Sequence, residues 1–358
     1  MSETSAAMRE AIVRELERGR VPGCAVAWTR RDGSTGTLEH GLANVATGQK
    51  VDGATRFHLF SGSKLYTAAA VMLLVERGAV ALDAPVKKYL PELTLRDELT
   101  VRHLLSHASG LKDSLRAFLA VHFAGEAAPT TSAALARYTL GRGGAPGRTA
   151  RYSNVNYAIL GELVSRLAGL PYEAFVRRDL LGPLGADLSF EDPGAAQNAV
   201  GYVSRFSPML LALRFLLPDV ARRIRAGRAG GLVALAPYSL DTAAIGGLVG
   251  TASDFLPFVR EMLSPEDGVL RADSKREMLT LHSRGAAGVV SRDGVGLGWK
   301  RGTADGVTFW NHEGGGAGFC SETRLYPDAG LGVVILINLS QSASVSRLCH
   351  RIADHLRR

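Results

Sequence analysis

The sequence predicts an α+β protein in which strands from both ends of the chain build one antiparallel sheet, with a mainly helical segment inserted between them. Three observations carry this. Apolar and polar residues alternate around Asp32-Gly33 near one end, strand-like runs flank Pro327 to Gly330 near the other, and apolar runs at helical spacing dominate the chain between. The 358 residues, 46% hydrophobic and 21% charged, suffice to bury a large core and exclude a fibrous or disordered chain.

Taken in order, Ala6 to Glu17 reads as an amphipathic surface helix, and "GCAVAWTRRDGSTGTLEHGLANV" as a β-hairpin. "SKLYTAAAVMLLVERG" is rich in helix formers and closed by Gly78. "LDAPVKKYLPEL" and "TVRHLLSHASGL" read as short helices and turns punctuated by Pro85 and Pro91. "VNYAILGELVSRLAGL" sets Leu160, Leu163, Val164 and Leu167 on one helical face and stops near Gly169. "SETRLYPDAGLGVVILIN" reads as a second hairpin, and "SASVSRLCHRIADHLRR" as a closing amphipathic helix. This places a discontinuous sheet domain at 1–80 and 255–358, and a mainly helical inserted domain at 81–254. No internal repeat or low-complexity tract is present.

The formal charge of +8 is concentrated locally: Arg205, Arg214, Arg222, Arg223, Arg225 and Arg228 face only Asp219 within one segment. Zinc-ligand spacing, a recognition-helix pattern and aromatic-basic interleaving are all missing, so no nucleic-acid partner is expected. The apolar run Met209 to Leu217 is too short to span a bilayer. Residues 204–238 therefore read as a lid or pocket-shaping segment, a buried helix, or a peripheral membrane contact through 205–228. Cys24, Cys320 and Cys349 are too few, and odd in number, for a disulfide framework and read as buried thiols. The N-terminus lacks a basic start followed by an apolar core, and a cytoplasmic location is the expectation.

Chemistry is suggested at three places. Ser61-Gly62-Ser63-Lys64 stands where an apolar helix begins, so the Lys64 amine can reach the Ser61 hydroxyl near the positive end of the helix dipole. The plain alternative is an N-cap serine with a solvated lysine; Ser109-Gly110-Leu111-Lys112 repeats the spacing inside a turn-like stretch. Tyr152-Ser153-Asn154 precedes the next strong helix, where a phenol with its pKa lowered by a nearby ammonium can move protons and an amide can hold a carbonyl or a lysine. His312-Glu313-Gly314-Gly315 opens a glycine-rich strand that a substrate can approach closely. Alone, each reads equally as a cap, a half-buried tyrosine or a glycine-rich hairpin.

Together, in this order and context, S-x-x-K, Y-x-N and [K/H]-x-G resemble the serine penicillin-recognising superfamily. "LFSGSKLYTAAAVMLLVERGAVALDAPVKKYLPEL", "TVRHLLSHASGL", "YSNVNYAILGELVSRLAG", "GGLVGTASDF" and "GVGLGW" through "LGVVILIN" look like the class C beta-lactamase group, which includes D-alanyl-D-alanine carboxypeptidases, D-aminopeptidases and family VIII carboxylesterases. The resemblance implies a beta-lactamase/transpeptidase-like fold without metal or cofactor. It implies Ser61 as acylated nucleophile, Lys64 as its base and Tyr152 as relay to the leaving group and later to the hydrolytic water. Asn154 would orient Lys64 and the substrate carbonyl, His312 would stand in for the third-motif cation, and the N–H groups of Ser61 and Gly315, beside Gly314, would form the oxyanion hole. Lys300-Arg301-Gly302 precedes the relevant strand and is rejected as the third motif. Glu313 departs from the usual Thr, and a carboxylate facing the pocket would repel anionic substrates. The expected function is a serine carboxylesterase on small acyl esters. The alternatives are a D-amino-acid peptidase or D-alanyl-D-alanine carboxypeptidase, a weak beta-lactamase, and, in another class, a non-catalytic binding or membrane-associated protein.

Overall fold

The hairpins expected at the two ends of the chain form, and they share one sheet, in the computed structural model, which describes residues 3–113, 120–138, 143–190, 196–285, 293–340 and 342–357. The stretches 114–119, 139–142 and 191–195 of the expected inserted domain lie outside the described residues. Strands β1 (Gly23–Arg30) and β2 (Thr35–Asn44) pair antiparallel. Asp32 closes their turn by accepting from the Ser34 hydroxyl at 2.6 Å and the Ser34 amide at 2.9 Å. Strand β3 (Gln49–Lys50) follows at that edge. From the C-terminal part come β4 (Gly294–Val295), β5 (Lys300–Ala304), β6 (Val307–Gly315), β7 (Cys320–Tyr326) and β8 (Leu331–Ile337). The eight-stranded order is β4-β5-β6-β7-β8-β1-β2-β3.

Helices cover both faces, which explains the unbroken apolar run of β8. Leu331, Val333, Ile335 and Ile337 enter one core while Val334 and Leu336 enter the other, as the two-residue period of a strand requires. The first core is closed by α1 (Glu3–Gly19) and α6 (Ser342–Arg357), through Met8, Ile12 and Leu16 against Val345, Leu348 and Ile352. The N-terminal helix is thus amphipathic as expected, with Met8, Ile12 and Leu16 packed and Arg9, Glu10, Arg14 and Glu17 exposed.

The second core holds the elements that carry the site. Helix α2 (Ser63–Glu76) is buried at every position from Ser63 to Leu74, so its sequence shows no polar face. Helix α3 (Asn154–Ala168) packs beside it and ends at Gly169, whose φ of 64° is a conformation that glycine adopts at no steric cost. Residues 204–238, read as a lid or pocket-shaping segment, a buried helix or a peripheral membrane contact, fold mainly as α4 (Pro208–Leu216) and α5 (Pro218–Arg223) with a three-stranded antiparallel sheet of Tyr202–Ser204, Leu232–Leu235 and Arg225–Ala229. Cys24, Cys320 and Cys349 are buried. Among the described residues no helix is long and apolar enough to cross a membrane.

Candidate active site

Ser61 lies in the single helical turn Phe60–Gly62 that runs straight into α2. Phe60, immediately before it, has a φ of 48°, a strained value for a bulky side chain, and its ring stacks with His58 and packs near Tyr238 and Phe319. The turn is pinned from the sheet: Ser321 Oγ donates to the Leu59 carbonyl at 2.7 Å, and a Cβ on Gly314 would fall 2.0 Å from that same oxygen. Only glycine lets β6 approach the nucleophile turn so closely.

One helical turn on, Lys64 is fully buried, and its Nζ donates to Ser61 Oγ at 3.1 Å and to the Ile245 carbonyl at 2.7 Å. Burial pushes its pKa well below the ordinary lysine value, more than Asp113 raises it, and Lys300 adds to the depression. A neutral amine can accept the Ser61 proton. Tyr152 OH donates to Ser61 Oγ at 2.7 Å, so the oxygen sits between amine and phenol. The expected acidification of Tyr152 is corrected: burial raises its pKa, with Asp113 and Glu313 adding to the rise, and the hydrogen bond to Ser61 offsets it only in part. Tyr152 is therefore a neutral phenol, suited to donating a proton.

Tyr152 is held in place by Asp113, a residue the sequence did not single out. Asp113 accepts from Ser153 Oγ at 3.0 Å, Val155 N at 3.1 Å and Asn154 Nδ2 at 2.9 Å, acting as a remote cap on α3, whose own N-cap Ser153 makes no capping bond. Behind Tyr152 stands His107, with φ 56° and its ring 4.6 Å from the phenol ring; its Nδ1 accepts from Ser153 N and Asn156 Nδ2. The expected Asn154–Lys64 contact is not made, because Asn154 gives its amide N–H to Asp113 while Lys64 turns to Ile245. Asn154 Oδ1 is buried without a partner.

On β6 the cation is not where it was expected. His312 is fully buried; its Nδ1 donates to the Glu313 carbonyl at 2.8 Å, and burial with the nearby Lys300 charge drives its pKa well below the usual histidine value. It is neutral, and its Nε2 has no partner. The charge comes instead from Lys300 at the start of β5, whose Nζ lies 2.5 Å from Glu313 Oε2 and 5.3 Å from the centre of the Tyr152 ring. Lys300-Arg301-Gly302 is on a neighbouring strand, as its rejection as a motif requires, yet its first side chain serves the site. Glu313 also accepts from Asn311 Nδ2 at 2.9 Å. Burial raises the Glu313 pKa, but Lys300 and these hydrogen bonds outweigh it and hold the carboxyl below its usual range. Gly314 faces the nucleophile turn, so Glu313 leaves the strand on the opposite face. Glu313 is thus not a lone carboxylate but half of an ion pair whose lysine lies over the Tyr152 ring.

The β5 ladder ends at the pair Lys300 and Asn311, so among the described residues β6 from His312 to Gly315 pairs only with β7 and its other edge is open. Two spaces lie beside neighbours of Ser61, one lined by Phe60 and the other by Tyr152. An apolar cavity of about 40 Å³ is lined by Phe60, Leu213, Ile224, Leu240, Gly316 and Ala317, so α4 reaches the side chain preceding the serine. On the Tyr152 side a cleft of about 510 Å³ is lined by Tyr152, Asp113 and the exposed Lys112, Arg148 and Arg151.

The Beta-lactamase family model matches residues 8–357. The chain is 28% identical to penicillin-binding protein 4 of Amycolatopsis lactamdurans, over 89% of this chain and 81% of that protein. It is 21% identical to Protein flp of Staphylococcus aureus, spanning 96% of this chain but 64% of that protein's length. Among solved structures it is similar to SurE with D-Leu, with 28% identity, a TM-score of 0.71, and coverage of 99% and 75% of the two chains. It also shares the fold of the D-amino acid amidase of Ochrobactrum anthropi SV3 complexed with D-phenylalanine, with 20% identity, a TM-score of 0.82 and 99% coverage of each chain.

Proposed function

The chain belongs to the beta-lactamase family of serine hydrolases, and from that premise we propose that it cleaves small esters with a short apolar acyl group through an acyl-enzyme on Ser61. The observation that carries this is the double contact of Ser61 Oγ, at 3.1 Å from Lys64 Nζ and 2.7 Å from Tyr152 OH, one residue after Phe60, which lines a small apolar cavity.

Lys64, held neutral by burial, takes the Ser61 proton as Oγ bonds to the acyl carbon. The carbonyl oxygen becomes an oxyanion at the N–H groups of Ser61 and Gly315. Gly316 N bonds Phe319 O across the hairpin, and strand alternation then turns the Gly315 N–H to the open edge. As the intermediate collapses, the bond from acyl carbon to leaving oxygen breaks; Tyr152 gives that oxygen its proton and regains one from the Lys64 ammonium. In the second half Lys64, neutral again, takes through the Tyr152 hydroxyl the proton of a water that attacks the acyl carbon, and the same proton passes to Ser61 Oγ as its bond to the acyl carbon breaks. His312 positions the Glu313 backbone, and Asn154, anchored by Asp113, offers its unpartnered Oδ1 to a donor on the substrate.

A second reading, a D-amino-acid amidase or peptidase, is favoured by the basic cleft beside Tyr152, which suits a leaving group bearing a carboxylate, and by the 28% identity to SurE with D-Leu. The test is a panel of p-nitrophenyl acetate, butyrate and octanoate, D-phenylalanine amide, a D-alanyl-D-alanine peptide and nitrocefin. The esterase reading expects the highest kcat/KM on acetate or butyrate; preference for either D-amino substrate would replace it with the second reading.

A further inference from the structure

Helix α4 has two apolar faces. Leu210 and Leu213 are buried, and Leu213 lines the cavity beside Phe60. Residues 211 and 215 share the roughly opposite face, where Leu211 is 59% and Phe215 75% exposed; Phe206, just before the Ser207 cap, is 78% exposed. One apolar stripe suffices to pack a helix of this size, so the outer one marks a surface that something covers.

The charges beside it name the occupant. A groove of about 670 Å³ is lined by Arg205, Phe206, Leu210, Arg225, Arg228 and Val233, together with small residues and no carboxylate. The Arg205 guanidinium stacks on the Phe206 ring at 4.4 Å. Arg222 is engaged by Asp219, and Arg223 by Glu126 at 2.7 Å. Among the described residues, Arg205, Arg214, Arg225 and Arg228 carry no ion pair. A second copy docked by two-fold symmetry would bring these same guanidinium groups against themselves.

We propose that this face docks on an anionic lipid surface. Phosphodiester headgroups occupy the arginine groove, and Phe206, Leu211 and Phe215 enter the boundary between headgroups and acyl chains. The protein lies on the membrane and does not span it.

The test is flotation of the full chain with vesicles of phosphatidylcholine alone and of phosphatidylcholine with phosphatidylglycerol, at several salt concentrations. The expected result is flotation with the anionic vesicles only, weakening as salt rises. Arg225→Ala with Arg228→Ala is expected to bind about thirtyfold more weakly, at ~1 kcal/mol for each arginine near the surface. Phe206→Ser with Phe215→Ser is expected to release the protein as well. Both double variants should keep their thermal midpoint and their turnover of a soluble ester, which separates docking from folding. Equal flotation with neutral vesicles, or unchanged flotation of both variants, would overturn the proposal. So would competition by inorganic phosphate at constant ionic strength, which would mark a soluble-anion site. Absence of flotation with self-association that Phe215→Ser abolishes in sedimentation velocity would assign the face to a second copy instead.

Discussion

Lys300 Nζ and Glu313 Oε2 stand 2.5 Å apart across two strands, and the pair lies beside the Tyr152 ring. A residue that would repel anionic substrates if alone is thereby matched in charge. Removing the lysine leaves Glu313 without its cation. Lys300→Ala is expected to lower kcat/KM about tenfold on a neutral butyrate ester and further on a hemisuccinate ester. Glu313→Gln is expected to do the reverse for the hemisuccinate. Parallel measurement of both substrates checks this; equal losses on the two would show that the pair does not act through charge.

Burial lowers the Lys64 pKa, and the consequence has a definite sign. Activity needs the neutral amine, so kcat/KM should fall on acidification through a pKa well below that of ordinary lysine. For stability, the unfolded chain binds a proton on Lys64 at pH values where the folded chain does not. This group's contribution therefore rises with pH from its lowered folded pKa up to about 10.4, the unfolded value. Lys64→Met is expected to be inactive yet more stable than wild type at neutral pH, with the difference shrinking as pH rises. Denaturant titrations of both proteins at several pH values measure it.

Asp113 anchors three groups at the start of α3 and, through them, the position of Tyr152. Asp113→Ala is expected to lose about 1–3 kcal/mol of stability and a larger share of kcat than of KM. Asp113→Asn keeps an acceptor for Ser153 and Val155 but sets an amide against Asn154 Nδ2, so it should restore stability more fully than activity. Denaturation and steady-state kinetics on the two variants separate capping from positioning.

Leu213 is one of the residues of the segment 204–238, with Met209, Val220, Ile224 and Tyr238, that line the cavity beside Phe60. Leu213→Ala enlarges that cavity and is expected to raise the ratio of octanoate to butyrate kcat/KM about tenfold. An unchanged ratio would place the acyl group elsewhere.

Strong local patterns made much of this legible in the sequence. The two hairpins follow from alternation around turn residues, and α2 and α3 from their apolar runs and glycine stops. Ser61, Lys64 and Tyr152 meet as their motifs and family resemblance imply. What was not legible depends on contacts distant in sequence. Lys300 and Glu313 meet because β5 and β6 pair, and Asp113 caps a helix that begins 41 residues later, at Asn154. The neutral state of His312 and the raised pKa of Tyr152 are set by burial, which no motif encodes. The elements of the segment 204–238 were not legible because apolar residues on both faces of α4 obscure its helical period, and its strands are short and paired with one another.

The most direct test of covalent catalysis at Ser61 is intact mass on rapidly quenched mixtures of p-nitrophenyl butyrate with wild type and with Ser61→Ala. The expected result is one butyryl adduct on wild type, mapped to Ser61, with neither adduct nor nitrophenol release above background in the variant. Turnover retained by Ser61→Ala, or an adduct mapped to any other residue, would contradict it.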